Sequence, residues 1–262
     1  MRVFPQLGSN ATSQFPIAIT RHQRTVMNRT SDGGVVLYSD TGGRGKSWRV
    51  ELQGLDETER EAVEEFFQSV EGRLLTFTYL DPFANLLQRS EDFGNPVWVK
   101  GPSLSVVSGW ADPSGGTGAA LISNPAPVAQ TIVQARNVPA WFVYAASLYL
   151  KAAAPTEVSL ALTATGGSAA KQVTAGAEWK RVELAGSPGS PDESVTFELA
   201  IPSGAEVMVF GAQLEAQPAP SQYRRSMDTS GVYEQARFLQ DEIVWRTTDT
   251  NVNHTTLRIA SR

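Results

Sequence analysis

Apolar and polar residues alternate along most of this chain with the two-residue period of a half-buried β-strand. Near the N-terminus Phe15, Ile17 and Ile19 take every second place, and Trp48, Val50 and Leu52 interleave with Arg49, Glu51 and Gln53. Side chains two apart on a strand share a face, so each set predicts a strand with one side on a core. The run 35–38 is apolar, and Leu75, Phe77 and Tyr79 alternate again before Asp81-Pro82. Between them, residues 57–71 change period. Val63, Phe66, Phe67 and Val70 recur at helical spacing and predict a helix with one apolar face. Thr58 followed by Glu61 fits a capping box, and Gly72 fits a stop.

From about Asn85 to Arg225 no helical period appears. Strands are predicted near 104–107, 119–122, 128–133, 142–150, 158–162, 179–184, 195–201 and 207–214. Turn clusters such as DPSGGTG, NPAP, TATGG and GSPGSPDE separate them. Many short strands at regular spacing predict a β-sandwich or barrel. The tail resumes alternation at Phe238, Ile243, Trp245, Leu257 and Ile259.

The last segment is too short to bury its own core, and the first 85 residues are lean for a free-standing β domain. The economical arrangement is one discontinuous domain, 1–84 plus 226–262, with 85–225 inserted. Three serial units are the rival. The fold class expected is therefore all-β with one α-helix, a discontinuous β-barrel or sandwich domain carrying an inserted β-sandwich.

Composition narrows the function. A net charge of −5 over 262 residues argues against a sequence-specific nucleic-acid binder, which usually carries a basic excess. The chain has no cysteine, which excludes disulfides and thiolate metal sites. No run approaches the ~20 apolar residues that span a bilayer, and the N-terminus has no signal-peptide pattern, so synthesis in a cytoplasm without membrane insertion is expected. Asn10, Asn28 and Asn253 head glycosylation-like triplets that read as chance matches without such a signal.

Several motifs invite chemistry. Residues 40–47, DTGGRGKS, end like a phosphate-binding loop, but Asp40 stands where the first glycine belongs and the following WRVELQGL has a strand period instead of a helix. A hairpin tip is the reading. Gly115-Gly-Thr-Gly lacks the setting of a dinucleotide loop. The two histidines, His22 and His254, lie far apart, so neither a His-rich metal site nor a Ser-His-Asp site is expected. No catalytic residue, metal or cofactor is assigned, and the protein is expected not to be an enzyme. Arg21, His22, Arg24 and Arg29 predict a basic strand face, solvated or engaged with a neighbouring subunit.

Exposed aromatic faces are the usual platform for sugar rings. Trp98 and Trp179 read as core, and Trp141 as the start of a long apolar strand. Trp110 borders the loop ADPSGG and divides between core and platform. With Asp112 it forms the candidate carbohydrate contact. The same loop could hold a calcium ion through oxygen ligands.

The phrase from Asn85 to Lys100, NLLQRSEDFGNPVWVK, with the close VFGAQLE at 209–215, then Pro220 and Tyr223, resembles carbohydrate-binding-module-like domains of phage tail and fibre proteins. Residues 146–152 and 178–182 fit the same family's middle strands. This resemblance implies a jelly-roll sandwich. The passage 65–82, EFFQSVEGRLLTFTYLDP, and the closing stretch 249–259 more weakly resemble phage distal tail and minor tail proteins. That implies a homo-oligomeric ring, with a hexamer favoured, contacting the tail tube and other tail-tip proteins in the virion, with host surface glycan as a candidate partner. A small glycan-degrading enzyme and a free lectin are the alternatives.

Overall fold

The computed structural model describes residues 1–261. Among these residues seventeen elements follow one another. In the first part these are β1 (Ile17–Arg29), β2 (Val35–Leu55), α1 (Glu57–Ser69) and β3 (Phe77–Leu80). The middle holds β4 (Val99–Lys100), β5 (Ser105–Trp110), β6 (Ala119–Ser123), β7 (Gln130–Arg136) and β8 (Tyr144–Lys151). It continues through β9 (Thr156–Ala164), β10 (Gly167–Ala175), β11 (Lys180–Gly186), β12 (Val195–Ile201) and β13 (Glu206–Glu215). The end adds β14 (Val232–Phe238), β15 (Arg246–Asp249) and β16 (Val252–Ser261).

Two compact units result. One unites residues 1–8, 12–79 and 233–261; the other comprises 80–232 with 9–11. The division falls several residues outside the junctions expected at 84/85 and 225/226. Backbone pairing accounts for this: Asp81 N–H donates to Gly231 O (2.8 Å) and Gly231 N–H to Asn85 O (2.8 Å), so both connecting segments zip together as part of the inserted unit.

In the terminal unit the strands lie in the order β1-β2-β16-β14-β3, with β15 on β16. The C-terminal strand β16 pairs antiparallel with β2 from Asn253↔Leu55 to Ser261↔Lys46. The inward face carries Trp48, Val50, Leu52, Leu257 and Ile259, all buried. Helix α1 closes this face with Val63 and Phe67, and Phe66 packs beside them. Its N-cap is Asp56, whose side chain accepts from Glu59 N–H while Glu59 reaches back to the Asp56 N–H. The box expected at Thr58 and Glu61 is thus displaced by two residues, because Asp56 still has extended backbone and Glu57 is the first helical position. Val70 is the C-cap, and Glu71 and Gly72 follow at positive φ.

Two differences concern β2. It spans residues 40–47, so DTGGRGKS is strand, but its pairing with β1 passes from Gly45 to Asp40 and leaves residues 41–44 as an irregularity in the ladder; the hairpin turn lies at Thr30–Gly34 instead. The apolar run 35–38 is strand, but exposed.

The inserted unit is a jelly-roll β-sandwich of two five-stranded antiparallel sheets, β10-β9-β12-β7-β4 and β11-β8-β13-β6-β5. Residues Leu148, Leu150, Val182, Leu199, Phe197 and Val209 are among those that fill its interior. Strand β10, GSAAKQVTA, escaped the sequence reading: it is an edge strand, and small or polar residues replace the apolar half of the period.

The opening and closing phrases bind one another. Buried Asn85 donates through Nδ2 to Ala212 O (2.8 Å) and accepts at Oδ1 from Leu214 N–H (3.1 Å). Gln213 Nε2 donates to Glu215 (2.7 Å), and Gln213 Oε1 accepts from Arg224 N–H (2.6 Å). Ser90 Oγ and Tyr223 Oη are 2.8 Å apart. These residues fasten the ends of the insert, where a buried polar group without a partner would be costly.

Candidate functional site

The outward face of the sheet β11-β8-β13-β6-β5 gathers aromatic side chains. Register explains how. Val182 opposes Leu148, and Val209 opposes Leu150, with all four buried toward the other sheet. One step along, Arg181 opposes Tyr149, which opposes Phe210, so this row faces outward. Trp110, beyond a bulge at Gly109, opposes Ala119 on the same side. Val107 and Leu121 form the neighbouring outward pair.

The row is built by stacking. The Arg181 guanidinium lies 5.8 Å from the Tyr149 ring centre, and one of its terminal amines donates to Ser147 Oγ (2.9 Å). Its Nε–H has no hydrogen-bond partner. Phe210 lies 5.9 Å from Tyr149 and 5.4 Å from Tyr223. Gly211 has φ +64°, and a Cβ there would come 3.1 Å from the Tyr223 ring, so glycine lets that ring settle on the strand. Phe210 is covered, whereas Tyr149 and Tyr223 are half-buried and Trp110 is 41% exposed.

Burial is the main cause that holds the Tyr223 hydroxyl above the ordinary phenol range, and the negative charge of Glu91 adds to it. The protonated hydroxyl donates to Glu91 Oε1 (3.0 Å), while Glu91 Oε2 meets Arg225 Nε at 3.0 Å. A polar cleft of about 210 Å³ adjoins, lined by Arg89, Glu91, Asp92, Thr117 and Arg225 among others. Aromatic surface beside fixed donors and acceptors matches the needs of a sugar ring, which offers an apolar face and a rim of hydroxyls.

Of the two residues singled out in the sequence, Trp110 joins this row and Asp112 closes its own loop. Asp112 Oδ1 accepts from Ser114 N–H (2.8 Å), Ser114 Oγ (2.6 Å) and Gly116 N–H (3.0 Å), and Oδ2 accepts from Gly118 N–H (2.9 Å). Burial opposes its ionisation, but these hydrogen bonds outweigh that and pull its pKa down to about 2. Among the described residues no group of three His, Asp or Glu side chains is placed to hold a metal ion.

Trp98 is buried and donates through Nε1 to Arg89 O (3.0 Å). Trp179 is only half-buried, because it precedes β11 instead of lying within it, and Trp141 is exposed because β8 starts at Tyr144. The sequence singles out neither Tyr149 nor Arg181 as a contact, and Tyr223 is named there only as part of the closing phrase. The alternation of Arg181 with Val182 and Leu184 was a usable sign that Arg181 faces outward.

The histidines assemble no triad. His22 Nε2 lies 2.8 Å from Ser47 Oγ on an exposed strand pair, and His254 contacts Gly54 N–H and Thr248 Oγ1. Lys46 packs over Trp48 and Tyr233, at 5.1 and 5.4 Å from the ring centres. No helix among the described residues is long and apolar enough to cross a membrane.

No protein-family model matches the sequence, and no curated protein matches it. Solved structures are similar to parts of this chain. The xylan-binding CBM22-1 domain of Paenibacillus barcinonensis Xyn10C is 11% identical, with 54% of this chain and 98% of that one covered and a TM-score of 0.41. A family 61 carbohydrate-binding module in complex with β-1,4-galactotriose is 17% identical, covering 50% and 97%, with a TM-score of 0.38. The enzymatically active domain of tailspike protein 4 of bacteriophage CBA120 is 11% identical, covering 52% of this chain and only 22% of that one, with a TM-score of 0.41.

Proposed function

We propose that this chain is a non-enzymatic structural subunit of a phage tail tip, of the distal tail or hub type, whose inserted sandwich contacts host surface glycan. The observation that carries the glycan half is the outward row of Arg181, Tyr149 and Trp110, with Tyr223 beside it. Stacking on Tyr149 and Trp110 supplies apolar contact, and the half-buried Arg181 guanidinium adds positive charge beside the rings. The tail half rests on the sequence resemblance of residues 65–82, 85–100 and 209–223. Repetition of a shallow site around a ring raises the effective concentration at the remaining sites, so avidity can exceed single-site affinity by about 10²–10⁴.

The experiment compares binding of the oligomer to host cells and to purified host polysaccharide for wild type, Tyr149→Ala and Arg181→Ala. Both variants should lose most binding while melting normally. Unchanged binding would remove the glycan role from this face. Release of reducing ends from the polysaccharide would turn the reading toward the enzyme alternative, and absence of the chain from purified virions would turn it toward a free lectin.

A further inference from the structure

The hairpin of β1 and β2 outgrows the sheet that carries it. Strand β16 accompanies β2 only as far as Lys46, and from His22 to Gly45 the two strands pair with nothing but each other among the described residues. At about 3.4 Å per residue this free ribbon reaches roughly 30 Å. Nearly every residue from Arg21 to the turn and back to Ser39 is exposed.

Behind its polar turn at residues 30–34 the ribbon carries exposed apolar side chains on both faces, with Asn28 and Arg29 among them. Directly opposed residues share a face, so Met27 and Leu37 lie on one side, with Val35. Tyr38 and Val36 lie on the other, with Val26. Met27, Leu37, Val35, Tyr38 and Val36 are between 45% and 61% exposed. An isolated two-stranded ribbon is marginal in water, and one that is apolar on both faces gains most when covered on both sides. The ribbon's charge runs against the chain's: Arg21, Arg24, Arg29 and Arg44 outnumber Asp32 and Asp40, while the whole chain carries −5. The densest acid in the sequence is on helix α1, where Glu61 and Glu65 face solvent and Glu57 and Glu64 share Arg60.

We propose that the ribbon is an assembly arm that inserts against a second copy of this chain, its apolar outer part buried between copies and Arg29, at its far end, facing the neighbour's Glu61 and Glu65. The inference rests on the oligomeric part of the function proposed above. A head-to-tail contact of this kind, arm to helix, closes into a ring when its rotation is right.

The test uses light scattering on the purified full chain across concentration. In one variant residues 23–44 are replaced by Asn-Gly, a favoured two-residue hairpin turn, between the opposed His22 and Gly45. In others Arg29→Glu and Glu61→Arg/Glu65→Arg are made separately and together. Circular dichroism and thermal melting confirm that each is folded. Wild type should form one discrete oligomer and the shortened arm should be monomeric. Each charge reversal should weaken association at least tenfold, and their combination should recover part of the loss. An oligomer that survives arm shortening, or reversals whose combination is as weak as the worse of the two, overturns the arm and leaves the assembly reading intact. A wild-type chain that stays monomeric throughout, or whose arm binds anionic vesicles without self-association, overturns both.

Discussion

The rings of Phe77 and Phe238, from opposite ends of the chain, lie 4.8 Å apart. Phe238 also meets Phe67 at 5.0 Å, Phe66 at 6.1 Å and Phe4 at 6.4 Å, so a residue that follows the whole sandwich sits among the N-terminal aromatics. The terminal unit therefore has one core assembled from both ends. Phe238→Ala should destabilise it by roughly 3–5 kcal/mol, the usual cost of removing a buried ring and leaving a cavity. Urea titration followed by hydrogen exchange in β2 and β16 would measure this. A loss below about 1 kcal/mol would mean that the two ends are not one cooperative unit.

Excision should be tolerated for the same reason. Asp81 and Gly231 are already hydrogen-bonded. Replacing residues 82–230 by a short Gly/Ser linker should give a folded protein with a cooperative melt, and residues 80–232 should fold alone. If the linked fragment is molten by hydrogen exchange, the core depends on the insert.

Gly211→Ala tests the packing beneath Tyr223. The residue has φ +64°, which costs an L side chain roughly 1–2 kcal/mol, and its new methyl would press on the ring 3.1 Å away. A lower melting temperature and a shifted Tyr223 signal are expected, together with weaker binding to host polysaccharide. Normal binding despite a displaced ring would exclude Tyr223 from the contact.

Acid should loosen the 112–118 loop. Asp112 has a folded pKa lowered to about 2 from an ordinary value of 3.8. A depressed carboxylate stabilises the fold fully above the unfolded value, and that contribution fades as pH falls from about 4 toward 2. Asp112→Asn should lower the melting temperature at pH 7 and lose most of this deficit near pH 2. A deficit independent of pH would assign the effect to packing instead of charge.

Nucleotide should not bind at Gly45-Lys46-Ser47. The segment is strand, and the Lys46 ammonium is held against Trp48 and Tyr233. Calorimetry with ATP or GTP and magnesium should give no heat beyond dilution. Micromolar binding abolished by Lys46→Ala would reverse this reading.

The sequence by itself determined which residues alternate, where the helix lies and that the middle is a run of strands, because burial on one side of a strand or helix leaves a period in the order of residues. Trp48, Val50, Leu52, Val63, Phe67, Leu257 and Ile259 were legible as core for that reason, and all are buried. Period is silent about partners. Only the tertiary structure set β16 beside β2, because pairing across such a separation depends on matching faces and register, not on neighbours in the chain. The same holds for the outward row. Arg181, Tyr149, Phe210 and Trp110 come from four different strands, and of these only Trp110 stands out in its own segment. Antiparallel register puts them on one face, while Tyr223 arrives from a segment without regular structure because Gly211 leaves room for its ring. The apolar run 35–38 marks the opposite limit. Its pattern specified a strand, but exposure follows from tertiary pairing: among the described residues no third strand lies beside the ribbon beyond Lys46.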